Sequence, residues 1–142
     1  MKYFFFVLSI CFSGLVFAQD SIPVSVVETP RIVKKLAIGK SMLVDNYEVK
    51  FVKVIEDSRC PTNVSCVWAG QVKVLVAILE KGVVKEEKQI TLSTKIPFKN
   101  RIGNLISLEN TMVSGYNVFP YPEYGSKINP EDYYLQVGVE KE

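Results

Sequence analysis

The sequence of 142 residues contains no histidine. The serine-histidine-aspartate and cysteine-histidine systems of nucleophilic catalysis need an imidazole base, so both are excluded. Metalloproteases of the HExxH type are excluded for the same reason. The GxSxG elbow and the glycine-rich phosphate loops GxxxxGK[ST] and GxGxxG are also missing. Only a carboxylate-based hydrolase remains open, and no acidic pair is singled out for that role. We therefore expect a non-enzymatic protein without a cofactor.

Long hydrophobic runs are scarce, and the one present is at the N-terminus. A positive charge on Lys2 precedes an apolar run from Tyr3 to Phe17, and the small residue Ala18 follows. This layout is typical of a secretory signal peptide. The run is shorter than the roughly 20 residues with which a helix spans a bilayer. We predict that residues 1–18 are cleaved off, which gives an exported protein, periplasmic or extracellular, with no membrane span.

Cys11 lies inside this apolar run and permits one alternative. The residues Leu8-Ser9-Ile10-Cys11 loosely resemble a lipobox, in which a small residue precedes the cysteine. Ile10 is not small, and the apolar run continues past Cys11. A lipid-anchored surface protein is therefore the less favoured interpretation, and we expect Cys11 to be removed with the signal.

The chain also has no large net charge of either sign. Without Lys2, the 17 basic residues fall to 16, against 15 acidic ones. With this balance and no basic cluster, a nucleic-acid partner is not expected. Removing residues 1–18 leaves 124 residues, enough for one domain with a hydrophobic core. We expect an extended, partly disordered leader at 19–30 and a single, monomeric β domain at 31–142.

Sustained helical periodicity is missing from this domain, which instead contains short β-type runs separated by turn residues. Apolar residues on both faces of 71–80 predict a central strand, and Lys81-Gly82 predicts a hairpin turn. A shift in the alternation near Phe51-Val52 predicts a β-bulge or a switch between buried faces. Strands are expected at 31–38, 47–56, 71–80, 83–92 and 132–140, with two more in 104–119 separated by Ser114-Gly115.

These patterns predict an all-β fold. Six to eight short strands at this spacing indicate a single antiparallel β-sandwich or small β-barrel. The segment 120–131, which contains three prolines and one glycine, is expected to be a long irregular connection between strands.

Only Cys60 and Cys66 remain after the signal is removed. In an oxidising compartment two cysteines most simply form one disulfide. Two thiolates without a histidine make a poor zinc site, so no metal is expected.

The segment 56–70 around this disulfide has two interpretations. In the structural one it is a stapled crossover, in which Trp68 covers the disulfide and Arg59 pairs with Asp57 or Glu56. In the functional one it is a rigid loop that presents polar side chains to a partner, with Asp57 bracing Arg59. Ordered loops lose little entropy on binding, and arginine and tryptophan are common interface anchors. The candidate binding residues are Asp57, Arg59, Thr62, Asn63 and Trp68.

The same segment resembles a known family. Asp-Ser-Arg-Cys-Pro at 57–61, four further residues and Cys-Val-Trp-Ala-Gly at 66–70 resemble a motif of small exported bacterial proteins of unknown function. Pro120-Tyr121-Pro122 and the later Asp132-Tyr133 are similar to their C-terminal half, so the resemblance covers roughly residues 39–140. It implies export to the periplasm or cell surface, and it supplies no catalytic residue.

A second candidate surface is aromatic. Aromatic side chains near a proline-bearing loop either cap one end of a β core or form a platform for sugar or protein. The residues concerned are Tyr116, Phe119, Tyr121 and Tyr124, with Tyr133 and Tyr134 nearby.

Our leading hypothesis is an exported binding or structural module that acts through the disulfide-stapled loop. One version is a secreted inhibitor of another enzyme. The alternative is a small-ligand carrier with an apolar barrel interior, so the partner is either an unknown protein or a small ligand.

Overall fold

The computed structural model describes residues 32–93 and 103–141. Three predicted features lie outside the described residues. They are the signal peptide at 1–18 with Cys11, the leader at 19–30, and the loop expected around Pro97 and Asn100.

Eight β-strands account for most of the described chain. They are β1 (Ile32–Ala37), β2 (Ser41–Val44), β3 (Tyr47–Asp57), β4 (Gln71–Glu80), β5 (Val83–Ser93), β6 (Gly103–Ser107), β7 (Thr111–Phe119) and β8 (Tyr134–Lys141). Every pairing is antiparallel, in a first sheet of order β1-β8-β7-β6 and a second of order β2-β3-β4-β5. The predicted all-β class and strand number are confirmed, and the two sheets form a sandwich rather than a barrel. Among the described residues, no helix has the length and apolar character needed to cross a membrane.

The core lies between the two sheets. Along β4, Val72, Val74 and Val76 are fully buried and point inward on alternate residues. They belong to the same buried cluster as Leu135 and Val137 of β8 in the first sheet. Burying one such side chain contributes about 1.5–3 kcal/mol, so this alternation is what holds the sheets together.

The strand pattern confirms one predicted irregularity and differs from the predictions in two places. The predicted bulge is confirmed, because Phe51 pairs with Val76 and Lys53 with Leu75, which leaves Val52 as the extra residue. The short strand β2 was not predicted. The expected break at Ser114-Gly115 is wrong, since β7 runs through it. A Cβ at residue 115 would contact Ile90 at 3.0 Å and Leu135 at 3.4 Å, so this glycine permits close packing rather than a turn.

Two long loops lie at the same end of the sandwich. We call residues 58–70, between β3 and β4, the disulfide loop, and residues 120–133, between β7 and β8, the proline loop. A backbone bridge between Thr62 and Glu123 joins them. Among the described residues, the shorter turns at 45–46, 81–82 and 108–110 lie at the opposite end. The sandwich therefore brings together the two regions that carry the predicted binding residues.

Candidate functional site

At the base of the disulfide loop, the backbone pairing of β3 and β4 continues for two more hydrogen bonds. The Ser58 amide donates to the Gln71 carbonyl at 2.9 Å, and the Cys60 amide donates to the Ala69 carbonyl at 2.9 Å. Gly70 makes this narrow neck possible, because its φ is +68° and a Cβ there would lie 1.8 Å from the Ser58 carbonyl oxygen. Only glycine combines that backbone conformation with so close an approach.

The predicted disulfide closes the loop above this neck. Cys60 and Cys66 are bonded, with their Cα atoms 6.0 Å apart, which confirms the prediction. The left-handed conformation of Asn63, at φ +67°, turns the chain between them, and asparagine tolerates this conformation better than most residues. The disulfide therefore encloses a tight turn.

Arg59 fixes the loop to the rest of the domain. Its side chain is completely buried. The guanidinium donates to both carboxylate oxygens of Asp57, through Nε at 2.8 Å and through Nη2 at 2.5 Å. It also donates to two main-chain carbonyls of the first sheet and proline loop, those of Val118 and of Pro120, the latter at 3.0 Å. The Tyr121 ring stacks against it, 4.7 Å from ring centroid to guanidinium carbon.

The partner carboxylate is also held in place. Tyr133 donates its hydroxyl to Oδ2 of Asp57 at 3.2 Å. Burial, together with the negative charge of Asp57, raises the pKa of the Tyr133 phenol above its ordinary value. The predicted pairing of Arg59 with Asp57 is thus confirmed, and it is part of a four-residue network with Tyr121 and Tyr133.

This network corrects one part of the functional interpretation. Arg59 was expected to face a partner, but it is buried among the carbonyls of Val118 and Pro120. A guanidinium with five donors satisfies these carbonyls and Asp57 together, which favours the inward position. Arg59 and Asp57 therefore hold the loop in place, and their side chains are not exposed on its surface.

The exposed residues of the loop are different ones. Trp68 is 72% exposed and Val67 is 93% exposed. The indole of Trp68 therefore faces solvent over most of its surface. Thr62 and Asn63 are exposed, as predicted. The Thr62 amide, however, donates to the Pro122 carbonyl at 2.9 Å, which adds another attachment to the proline loop.

Val67 was not among the predicted residues. Its signal in the sequence is an apolar side chain between Cys66 and Trp68, in a segment from Cys60 to Gly70 that has no charged residue.

The aromatic residues do not form one platform. Tyr116 is 1% exposed and lies across Gly138, where a Cβ would come 2.3 Å from its ring. Phe119 stacks on Tyr134 with 5.4 Å between ring centroids, and Tyr121 covers Arg59. Only Tyr124, 76% exposed on the proline loop, is available beside the disulfide loop. Of the two interpretations, the single platform of four aromatic residues is wrong, whereas Tyr116 and Phe119 pack within the fold.

The site that remains is an apolar tip on the disulfide loop, which we define as Val67 and Trp68. Searches of protein-family models, curated proteins and solved structures give no match for this chain.

Proposed function

We propose that this protein is a non-enzymatic exported binding module that inserts Val67 and Trp68 into an apolar pocket of a partner protein. The observation that carries the proposal is the exposure of these two large side chains on a loop that the rest of the domain holds rigid.

Exposure of the apolar tip opposes solubility unless a partner covers it. Single exposed aliphatic residues are common on protein surfaces, whereas Val67 and Trp68, at 93% and 72% exposure, are adjacent and more exposed than the pair Val83 and Val84, at 62% and 51%. Tryptophan is also among the side chains that contribute most to protein interfaces. The tip therefore supports a role in binding.

Rigidity supports the same role. The disulfide, the buried Arg59 and the Thr62–Pro122 hydrogen bond all restrict the disulfide loop. A loop ordered before binding loses little conformational entropy when the complex forms. The shape is a projection and not a groove, so the partner supplies the concave surface. An enzyme cleft fits that description, which keeps the inhibitor version within the proposal.

The carrier alternative receives less support. It needs an apolar space enclosed by a barrel, whereas here the inner faces of two sheets pack together, with Phe51, Leu105 and Leu135 fully buried between them. The disulfide itself is compatible with an oxidising compartment and so with export.

The experiment compares wild type with Trp68→Ala and Val83→Ala as bait for proteins of the source organism. Val83 is 62% exposed in the β4–β5 hairpin at the opposite end, so it is a matched exposed apolar control. A partner found with wild type should bind Trp68→Ala at least ~30-fold more weakly. It should bind Val83→Ala equally well.

Two results would overturn the proposal. In one, the partner binds Trp68→Ala as tightly as wild type. In the other, zwitterionic lipid vesicles alone shift the emission of Trp68, the only tryptophan of the chain, to shorter wavelength. That result would identify the tip as a lipid-inserting loop.

A further inference from the structure

A second surface lies between the edge strands β1 and β2, away from the disulfide loop. The two strands belong to different sheets and are not hydrogen-bonded to each other. The turn at 38–40 connects the two strands at one end. Beyond this turn a cleft lies between the strands, with Lys34 of β1 on one side and Asp45, after β2, on the other. Its volume is about 240 Å³.

The base of this cleft is apolar. Val44, which is 5% exposed, belongs to the core, and Met42 and Val139 are partly buried against it. The cleft is thus a point at which the hydrophobic core reaches the surface. An apolar group placed there would remove further apolar surface from water.

The rim of the cleft is mostly cationic. Lys34 and Lys141 come from the first sheet, and Asp45 from the second. The Lys141 ammonium lies 3.7 Å from the Asp45 carboxylate, but both side chains are largely exposed, so this pair contributes little and an incoming anion competes with it. Lys34 forms no ion pair with any other described residue. The positive charges of Lys34 and Lys141 favour an anionic group of a ligand at the rim.

We infer that the cleft between β1 and β2 binds a small amphipathic carboxylate, its apolar chain on Val44 and Val139 and its carboxylate between Lys34 and Lys141. The volume limits the size of the ligand, because pockets for drug-sized molecules are about 300–1,000 Å³. A small ligand therefore fits the cleft. The inference is independent of the function proposed for the apolar tip.

Octanoate is a suitable probe, and the methionine methyl groups are suitable reporters. Met42 lines the cleft, whereas Met112 is exposed on β7 and does not. With methyl-labelled methionine, octanoate should shift the Met42 resonance in a saturable manner and leave Met112 unchanged. Octanol and octylammonium, with the same chain but no negative charge, should bind at least about tenfold more weakly.

The variants separate this site from general lysine effects. Lys34→Gln with Lys141→Gln should weaken octanoate binding about tenfold. The control is Lys35→Gln, since Lys35 neighbours Lys34 on β1 but lies over the Tyr134 ring, 4.9 Å from its centroid. The Lys35→Gln variant should bind octanoate with the affinity of wild type.

Three results would overturn the inference. They are an unmoved Met42 resonance, octanol or octylammonium binding as tightly as octanoate, and Lys35→Gln weakening the binding as much as the double variant.

Discussion

Arg59 and Asp57, two residues apart at the end of β3, form a two-pronged ion pair in which the arginine side chain is completely buried. The same guanidinium reaches the carbonyls of Val118 and Pro120, so one side chain connects the start of the disulfide loop to the start of the proline loop.

Arg59→Ala is expected to lower the free energy of unfolding by about 3–5 kcal/mol, because it leaves the Asp57 carboxylate without its buried counter-ion and two carbonyls without their donor. Urea denaturation followed by circular dichroism measures this. Arg59→Lys should recover only part of the loss, since an ammonium cannot reproduce the planar fork of donors. A loss below about 0.5 kcal/mol for Arg59→Ala would show that the network does not stabilise the domain.

Gly70→Ala tests the neck of the disulfide loop. The new Cβ meets the Ser58 carbonyl and the residue keeps an unfavourable φ, so both effects destabilise the fold. Gly82→Ala is the matched control, because Gly82 also has a positive φ, of +78°, but nothing lies within 4 Å of its added Cβ. We expect Gly82→Ala to cost about 1–2 kcal/mol and Gly70→Ala at least about 2 kcal/mol more. Equal losses in thermal denaturation would contradict the close approach.

The pH dependence of stability tests the burial of Tyr133 beside the charge of Asp57. Burial and the Asp57 charge raise the pKa of Tyr133 above its ordinary value of 10.0, so the folded state holds this proton more tightly than the unfolded state does. The resulting stabilisation is present below about pH 10 and is lost as the pH rises through the raised pKa. Wild type should therefore lose stability more steeply than Tyr133→Phe above about pH 10. If the free energy of unfolding falls equally steeply with pH in both proteins, Tyr133 does not contribute to the pH dependence.

Replacement of both cysteines tests what the disulfide contributes. Cys60→Ser with Cys66→Ser should lower the free energy of unfolding by about 2 kcal/mol, since the bond closes a short loop. The neck, the Arg59 network and the core remain, so the domain still folds. Its affinity for a partner of the apolar tip should fall, because the freed loop has more entropy to lose on binding. Unchanged affinity at the reduced stability would mean that the disulfide does not order Val67 and Trp68.

The sequence predicts the features that depend on neighbouring residues. Apolar residues on both faces of 71–80 identify β4, and the shift in alternation near Phe51 identifies the bulge of β3, because side chains of a strand point to opposite faces in turn. The pairing of Arg59 with Asp57 is local and was predicted as well. The inward position of Arg59 was not, because its other acceptors, Val118 and Pro120, are 59 and 61 residues away.

The same reasoning explains the other differences. Ser114-Gly115 is a residue pair typical of a turn. In the structure Ile90 and Leu135 pack closely against Gly115, and the strand continues through it. The cleft was not foreseen either, because Lys34 and Lys141 come from the first and last strands. Contacts between distant strands depend on the order of the sheet, which alternation does not reveal.

That order has a consequence for when the protein can fold. β1 is the first strand of the described chain, and its hydrogen-bonded neighbour in the sheet is β8, the last; Ile32 lies opposite Val139. A chain that is synthesised N-terminus first therefore carries β1 without its partner until β8 has also been made. Such a long-range pairing is slow to form. Completion of the first sheet is thus delayed until β8 is available, whereas β2 to β5 are consecutive along the chain and pair with their neighbours in sequence.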